Sequence, residues 1–144
     1  MESIEQYIIF AVGKEEYAIS ISVVKEVIRL KGVNIAGVPN TRDHILGIIN
    51  LRGEVIPIID LRIKFNMTQR ELDGDHRIII VNFRDKVIGL LVDSVAEVSG
   101  IEPSDITKTP DEITDSRSRY ISGIAKYENR VFIILDIGII IGGG

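Results

Sequence analysis

Gly47-Ile-Ile-Asn-Leu-Arg-Gly-Glu-Val-Ile-Pro-Ile-Ile-Asp-Leu61 is the most distinctive segment of the chain. With Ile45 and Leu46 before it, it holds two apolar runs, 45–51 and 55–59, on either side of Arg52-Gly53. Both runs are rich in isoleucine and valine, whose branched side chains suit a pleated, packed surface. Neither alternates cleanly with polar residues, so both faces of these strands are expected to be covered. Gly53 supplies the positive φ that a tight hairpin turn needs. Arg52 then sits near the tip of a stiff hairpin. Pro57 has no N–H for a ladder, so the second strand needs a bulge or a free side there.

Outward from this hairpin the chain reads mostly as strands. Tyr7 to Val12 and Tyr17 to Ile21 form a first pair about Gly13-Lys14-Glu15. Ser22 reads as the N-cap of a short helix through Ile28, with Val23, Val24, Val27 and Ile28 as its apolar stripe. Residues 33–38 are weakly extended, and 40–43 read as a turn. Leu61 to Phe65 reads as one helical turn. The polar connection 66–77 is the expected boundary between two halves. Ile78 to Phe83 and Val87 to Val92 make the next hairpin, with the second strand running on to Val98. A polar loop covers 99–119, with one helical turn near Pro103. Tyr120 to Tyr127 and Val131 to Asp136 form the last hairpin, turned by Glu128-Asn129, and Ile137 to Ile141 starts a final helix. Short strands at this spacing predict a mainly β fold of two small packed barrels. No internal repeat stands out.

Composition narrows the function. The chain has 144 residues, 45% of them hydrophobic, a formal net charge of −4 and no cysteine. This length can bury roughly 68–70% of its unfolded surface, enough for one independent domain. No apolar run approaches the roughly 20 residues of a membrane-spanning helix, and the N-terminus lacks the basic and apolar regions of a secretory signal. Thiol catalysis, disulfides and thiolate metal sites are excluded, and the absence of cysteine fits a cytoplasmic chain. A net negative charge and 6% aromatic residues argue against a nucleic-acid-binding barrel, which stacks bases on aromatic side chains in a basic groove.

Catalytic patterns are likewise missing. His44 and His76 are the only histidines, and both read as turn or strand-end residues. Asp73-Gly74-Asp75 lacks the rest of a calcium loop. There is no phosphate-binding or dinucleotide-binding glycine pattern. What remains is the hairpin tip, which puts Asn50, Arg52 and Glu54 at the end of an apolar element. Solvated charges at an exposed tip are the plain reading. Arginine is also the side chain best suited to interface ion pairs, and exposed apolar grooves mark partner surfaces.

The segment Gly47–Leu61 resembles the glycine–asparagine–leucine–arginine–glycine hairpin of CheW-like domains. Further segments fall in the family's order. Glu15-Glu-Tyr17 with Ile19 to Glu26 is similar to its second strand and following helix. Val87-Ile-Gly-Leu-Leu-Val-Asp93 with Val95 resembles a later strand, and Tyr120-Ile-Ser-Gly-Ile124 a still later one. The resemblance runs from about Gln6 to Ile141. It implies a single domain over 1–144, built as two packed five-stranded SH3-like barrels with short helices. It also implies a non-enzymatic adaptor that couples bacterial chemoreceptors to the histidine kinase CheA, with no cofactor. The implied partners are the regulatory domain of CheA and the cytoplasmic tip of the receptors. By motif position, the implied contact residues are Val24, Glu26, Gly47, Asn50, Arg52, Gly53, Gly89 and Val95. The implied place is the cytoplasm, at membrane receptor arrays reached through partners, with no direct membrane insertion. A CheW-like regulatory domain cut from a CheA or CheV protein is the alternative within the family.

Overall fold

The computed structural model describes residues 4–37, 45–68, 71–115 and 117–142. Eleven strands are found among them: β1 Glu5–Val12, β2 Glu15–Ser20, β3 Val24–Arg29, β4 Ile45–Leu51, β5 Glu54–Asp60, β6 Arg77–Phe83, β7 Lys86–Val92, β8 Ser94–Ile101, β9 Ile106–Thr107, β10 Ile121–Tyr127 and β11 Arg130–Leu135. Two short helices, α1 Leu61–Lys64 and α2 Ile137–Gly142, follow β5 and β11. The strands form a six-stranded sheet, β8-β1-β2-β11-β10-β9, and a five-stranded one, β3-β6-β7-β5-β4.

The two sheets share one plan. Each has an edge strand on a hairpin (β8 on β1-β2, β3 on β6-β7), then a parallel pair (β2 with β11, β7 with β5), then a second hairpin. The correspondence reaches single residues. Both second hairpins shift register at the same place, between Ile45 and Gly47 and between Ile121 and Gly123. Both edge strands shift at the same place too. Glu26 lies opposite Ile80 and Val24 opposite Val81, just as Glu97 lies opposite Ile9 and Val95 opposite Phe10. Asp60 and Asp136 each cap the helix that follows, through Arg62 N–H and Ile139 N–H. The chain is therefore an internal repeat that its residue identities conceal.

Burial explains the unbroken apolar runs. Along β1, Tyr7 and Ile9 point into a cluster inside the first sheet, while Ile8, Phe10 and Val12 join a larger cluster shared by both sheets. In β6, Ile78 and Ile80 fill the inside of the second sheet, and Ile79 and Val81 join the shared cluster. Strands β5 and β7 divide the same way, with Ile56, Ile58 and Leu91 inward and Ile59, Leu90 and Val92 shared. A strand covered on both faces has no polar face to alternate with. The shared cluster holds the ring series Phe10, Tyr17, Phe65 and Tyr120, with neighbouring centroids 5.9, 5.3 and 6.0 Å apart.

Several expectations need correction. The helix expected from Ser22 is a single 3-10 turn, Ile21–Val23, capped by Ser20, and the chain then enters β3. Pairing with β6 overrides the helical spacing, and burial along β3 alternates with period two. Strand β7 does not run on to Val98. It ends at Val92, and beyond Asp93 the chain enters β8 in the other sheet. The polar stretch 66–77 joins α1 to β6, so its two flanking strands belong to the same sheet. The changes of sheet fall instead between β2 and β3 and at Asp93. Within 99–119 the turn at Pro103–Asp105 is present, and it leads into β9. Among the described residues of the extended segment 33–38, Ala36 alone pairs with a strand. Val38, the 40–43 turn and His44 lie outside the described residues. At Pro57 the free side is found: β5 has no partner there except β4, because its parallel pairing with β7 begins at Ile58.

Candidate functional site

The hairpin β4-β5 turns on Arg52 and Gly53, with φ of 51° and 86°. Two positive φ values make the turn that matches the strand twist. Asn50 holds it closed, its side-chain oxygen accepting from Gly53 N–H at 3.0 Å. The guanidinium of Arg52 pairs with the Glu26 carboxylate, and Lys25 Nζ lies 3.5 Å from Glu54 Oε1. These two pairs join β3, at one edge of the sheet, to a hairpin at the other. The sheet must therefore curl on itself. The Arg52 side chain is 67% exposed and that of Glu26 is 28% exposed. Ion pairs this open contribute about 0–1 kcal/mol, so their energetic value to the fold is small.

Four of the eight expected contact residues thus meet at one place: Glu26, Asn50, Arg52 and Gly53. The others do not. Gly47 is buried, and a Cβ there would overlap the Ala36 carbonyl oxygen. Its glycine lets the segment before the hairpin close against β4. Gly89 is also buried, facing Ile58 and Ile78 inside the sheet. Val24 and Val95 are equivalent positions of the two halves, and both pack partly buried against the shared cluster. The tip also gathers residues that sequence reading passed over. Val55 is 62% exposed beside the turn, and Lys25 is exposed where it pairs with Glu54. Membership of an apolar run hid Val55; only strand register reveals which of its residues face out.

A second polar cluster sits where the chain changes sheets. Arg62 makes two bonds to Asp93, at 3.0 and 2.5 Å, and Asp93 also accepts Gly13 N–H at 2.8 Å. Burial raises the Asp93 pKa, but these donors outweigh it and hold the group below the usual carboxylate value. Asp60 goes the other way, raised by burial against the pull of backbone N–H groups. The buried ring of His76 completes the cluster, Nδ1 3.0 Å from Asp73 Oδ1 and Nε2 3.6 Å from Asp93 Oδ1. Arg62 and Asp93 join α1 to the crossover, and Gly13 ties in the β1-β2 turn. The cluster therefore fixes one half against the other. Among the described residues no group of three or more His, Asp or Glu side chains could hold a metal ion.

A family description, the CheW-like domain, matches residues 6–142. Among curated relatives, the chemotaxis protein CheW of Bacillus subtilis is 36% identical over 132 residues, covering 92% of this chain and 83% of its own. That of Helicobacter pylori is 34% identical over 136 residues, covering 94% and 81%. The crystal structure of the scaffolding protein TtCheW from Thermoanaerobacter tengcongensis matches with a TM-score of 0.85 and 37% identity, over 93% of this chain and 90% of that one. The mainly β fold of two SH3-like halves is thereby established, with the two-residue β9 as a sixth strand in one sheet. In sequence and in fold, this chain belongs to the CheW-like domain family.

Proposed function

We propose that this chain is a non-enzymatic adaptor of bacterial chemotaxis that couples chemoreceptors to the histidine kinase CheA. The observation that carries the reading is the Glu26–Arg52 pair at the exposed hairpin tip. It lies within a family match that spans nearly the whole chain. Glu26 and Arg52 contact a partner directly, and Asn50 and Gly53 shape the turn that presents Arg52. Val24 and Val95 act from the rims of the shared core, and Gly47 acts through the closure of the seam. The partners are the regulatory domain of CheA and the cytoplasmic tip of the receptors, which bring the adaptor to the membrane. No helix among the described residues is long and apolar enough to cross a membrane.

An adaptor of this kind works by holding two partners side by side, which raises their effective concentration. To pass on a signal it must bind the two states of its partners unequally, since equal affinity shifts nothing. Calorimetric titration with the cognate CheA regulatory domain, and separately with a receptor-tip fragment, tests the reading. Wild type binds both. Arg52→Glu places two acidic side chains together, and it weakens at least one of the two by tenfold or more while its circular dichroism is unchanged. A folded wild type that binds neither overturns the adaptor reading. Unchanged binding of both by Arg52→Glu overturns the site.

A further inference from the structure

The pairing of β3 with β6 ends on Arg29 opposite Arg77, two like charges facing one another on neighbouring strands. Such a pair works against the sheet, because it holds the charges together. No carboxylate relieves it among the described residues, where the ion pairs of lysine and arginine are made by Lys25, Arg52, Arg62, Arg117 and Arg130. Lys31, exposed two residues further on, adds a third cation. The repeat shows what the fold itself requires at these positions. In the first half the equivalent pair is Gly100 with Gln6. Gln6 lies over Gly100, where an added Cβ would meet Gln6 Nε2 at 3.1 Å. A neutral side chain over a glycine is enough to end the strand pair there. The two guanidiniums of the second half therefore answer to something outside the fold.

The surroundings suit an acidic ligand. Arg77 Nη1 donates to Gly74 O at 2.8 Å and to His76 O at 3.0 Å. These bonds fix the guanidinium and leave Nε and Nη2 for a partner. A guanidinium offers paired donors that match the two oxygens of a carboxylate. Beside the arginines, Leu30, Lys31, Leu72, Asp73 and Gly74 line a pocket of about 360 Å³, and Leu72 is 50% exposed. The Asp73 carboxylate is engaged within its own turn, Oδ1 accepting from Asp75 N–H at 2.8 Å and lying 3.0 Å from His76 Nδ1. Cations beside exposed leucine fit a segment in which acidic and aliphatic residues are neighbours. Nucleic acid and anionic membrane fit less well. The chain carries a net charge of −4, so an extended polyanion meets repulsion beyond these three cations. Arg29 and Val27 lie on the opposite face of β3 from Glu26, which separates this surface from the hairpin tip.

We propose that Arg29 and Arg77 dock an acidic segment of a partner protein, whose carboxylates bridge the two guanidiniums while an aliphatic neighbour packs against Leu30 and Leu72. This does not rest on the adaptor reading, since it concerns another face of the sheet than the Arg52 tip, and each can fail alone.

The probe is an acetylated, amidated hexapeptide alternating glutamate with leucine, titrated into the full-length ¹⁵N-labelled chain. Amide shifts should saturate and cluster on Lys31, Gly74 and Arg77, and the side-chain Nε–H signals of Arg29 and Arg77 should move with them. A twin peptide with glutamine for glutamate keeps the shape but loses the charge, and it should bind at least tenfold more weakly. Arg29→Gln combined with Arg77→Gln makes the pair neutral, as it is in the first half. This variant should bind the charged peptide at least tenfold more weakly, with a urea midpoint equal to or above that of wild type. The proposal is overturned by shifts that do not saturate at millimolar peptide or that cluster elsewhere. Equal binding of the twin overturns it as well. So does a lower urea midpoint in the variant, which would give the arginines a duty within the fold. Sodium sulfate and vesicles containing phosphatidylglycerol are titrated in parallel. Binding of either as tight as that of the charged peptide overturns the peptide as occupant.

Discussion

Glycine has two different duties in this chain, and they predict different costs. Gly47 faces backbone, because an added Cβ would overlap the Ala36 carbonyl. Gly123, its equivalent, faces Ile106 Cγ2 at 3.0 Å and Thr107 O at 3.1 Å, a tight fit that a small shift relieves. Gly53 faces open space, and only its φ of 86° resists a side chain. Gly47→Ala should therefore destabilise by about 2–3 kcal/mol, the scale of overpacking. Gly53→Ala should cost about 1 kcal/mol, the left-handed penalty. Urea unfolding of the two variants and Gly123→Ala should rank Gly47 first. Asp93 sets a second residue-scale prediction. Its folded pKa lies below the unfolded one, so its contribution is full above about pH 4. It is lost as pH falls through the lower, folded value. Asp93→Asn leaves Arg62 half-paired at a site where the two side chains are 15% and 7% exposed. It should cost roughly 3 kcal/mol at neutral pH. Thermal melts between pH 2 and 7 should also show a shallower acid decline in the variant. Asp60, raised rather than lowered, titrates with the opposite sign and softens the wild-type decline.

At the scale of elements, β3 is the instructive case. Val24 and Val27 lie on one stripe if 22–28 is a helix, so both are core positions on that reading. As a strand, β3 turns Val24 toward the shared cluster and leaves Val27 37% exposed. Val24→Ala should then cost about 1–2 kcal/mol, from two lost methyl groups. Val27→Ala should stay within about 0.5 kcal/mol, as surface changes do. Equal losses in chemical denaturation would contradict the strand register. The hairpins, by contrast, were legible residue by residue. Gly13, Arg52-Gly53, Arg84-Asp85 and Glu128 all take positive φ where the turns were expected. Turn chemistry is local, so four residues suffice to show it. A strand's partner is not local, and for 22–28 the apolar spacing matched the wrong period.

For the whole molecule, the two halves are interleaved in the chain and share their largest core cluster. Strands β1 and β2 come before the second half and β8 to β11 after it. The shared cluster draws Ile8, Phe10 and Tyr17 from one half and Ile79, Val81 and Leu90 from the other. A fragment spanning 21–93 keeps its inner cluster but exposes this face. Calorimetry should find one cooperative transition for the full chain and none for the fragment, which should bind a hydrophobic dye. A separate, sharp transition for the fragment would show that the halves are independent. The polar stretch 66–77 misled as a boundary because it is a loop between strands of one sheet. A surface loop inside a half and a linker between halves have the same composition.

Four hairpins, the helical turns after Asp60 and Asp136, and the family hairpin with Arg52 at its tip could all be read along the chain. These depend on residues close together in the chain: turn formers, caps and β-branched runs. Folding settled which strands share a sheet, that β3 is a strand, and that Asp93 is the crossing point held by Arg62. It also decided that Arg52 meets Glu26, and that Gly47 and Gly89 are buried against neighbouring segments. The repeat emerged at the same level, in matching registers rather than matching residues. Each of these depends on which surfaces come together when both faces of a strand must be covered, and that is settled by pairing across the fold rather than by neighbours in the chain.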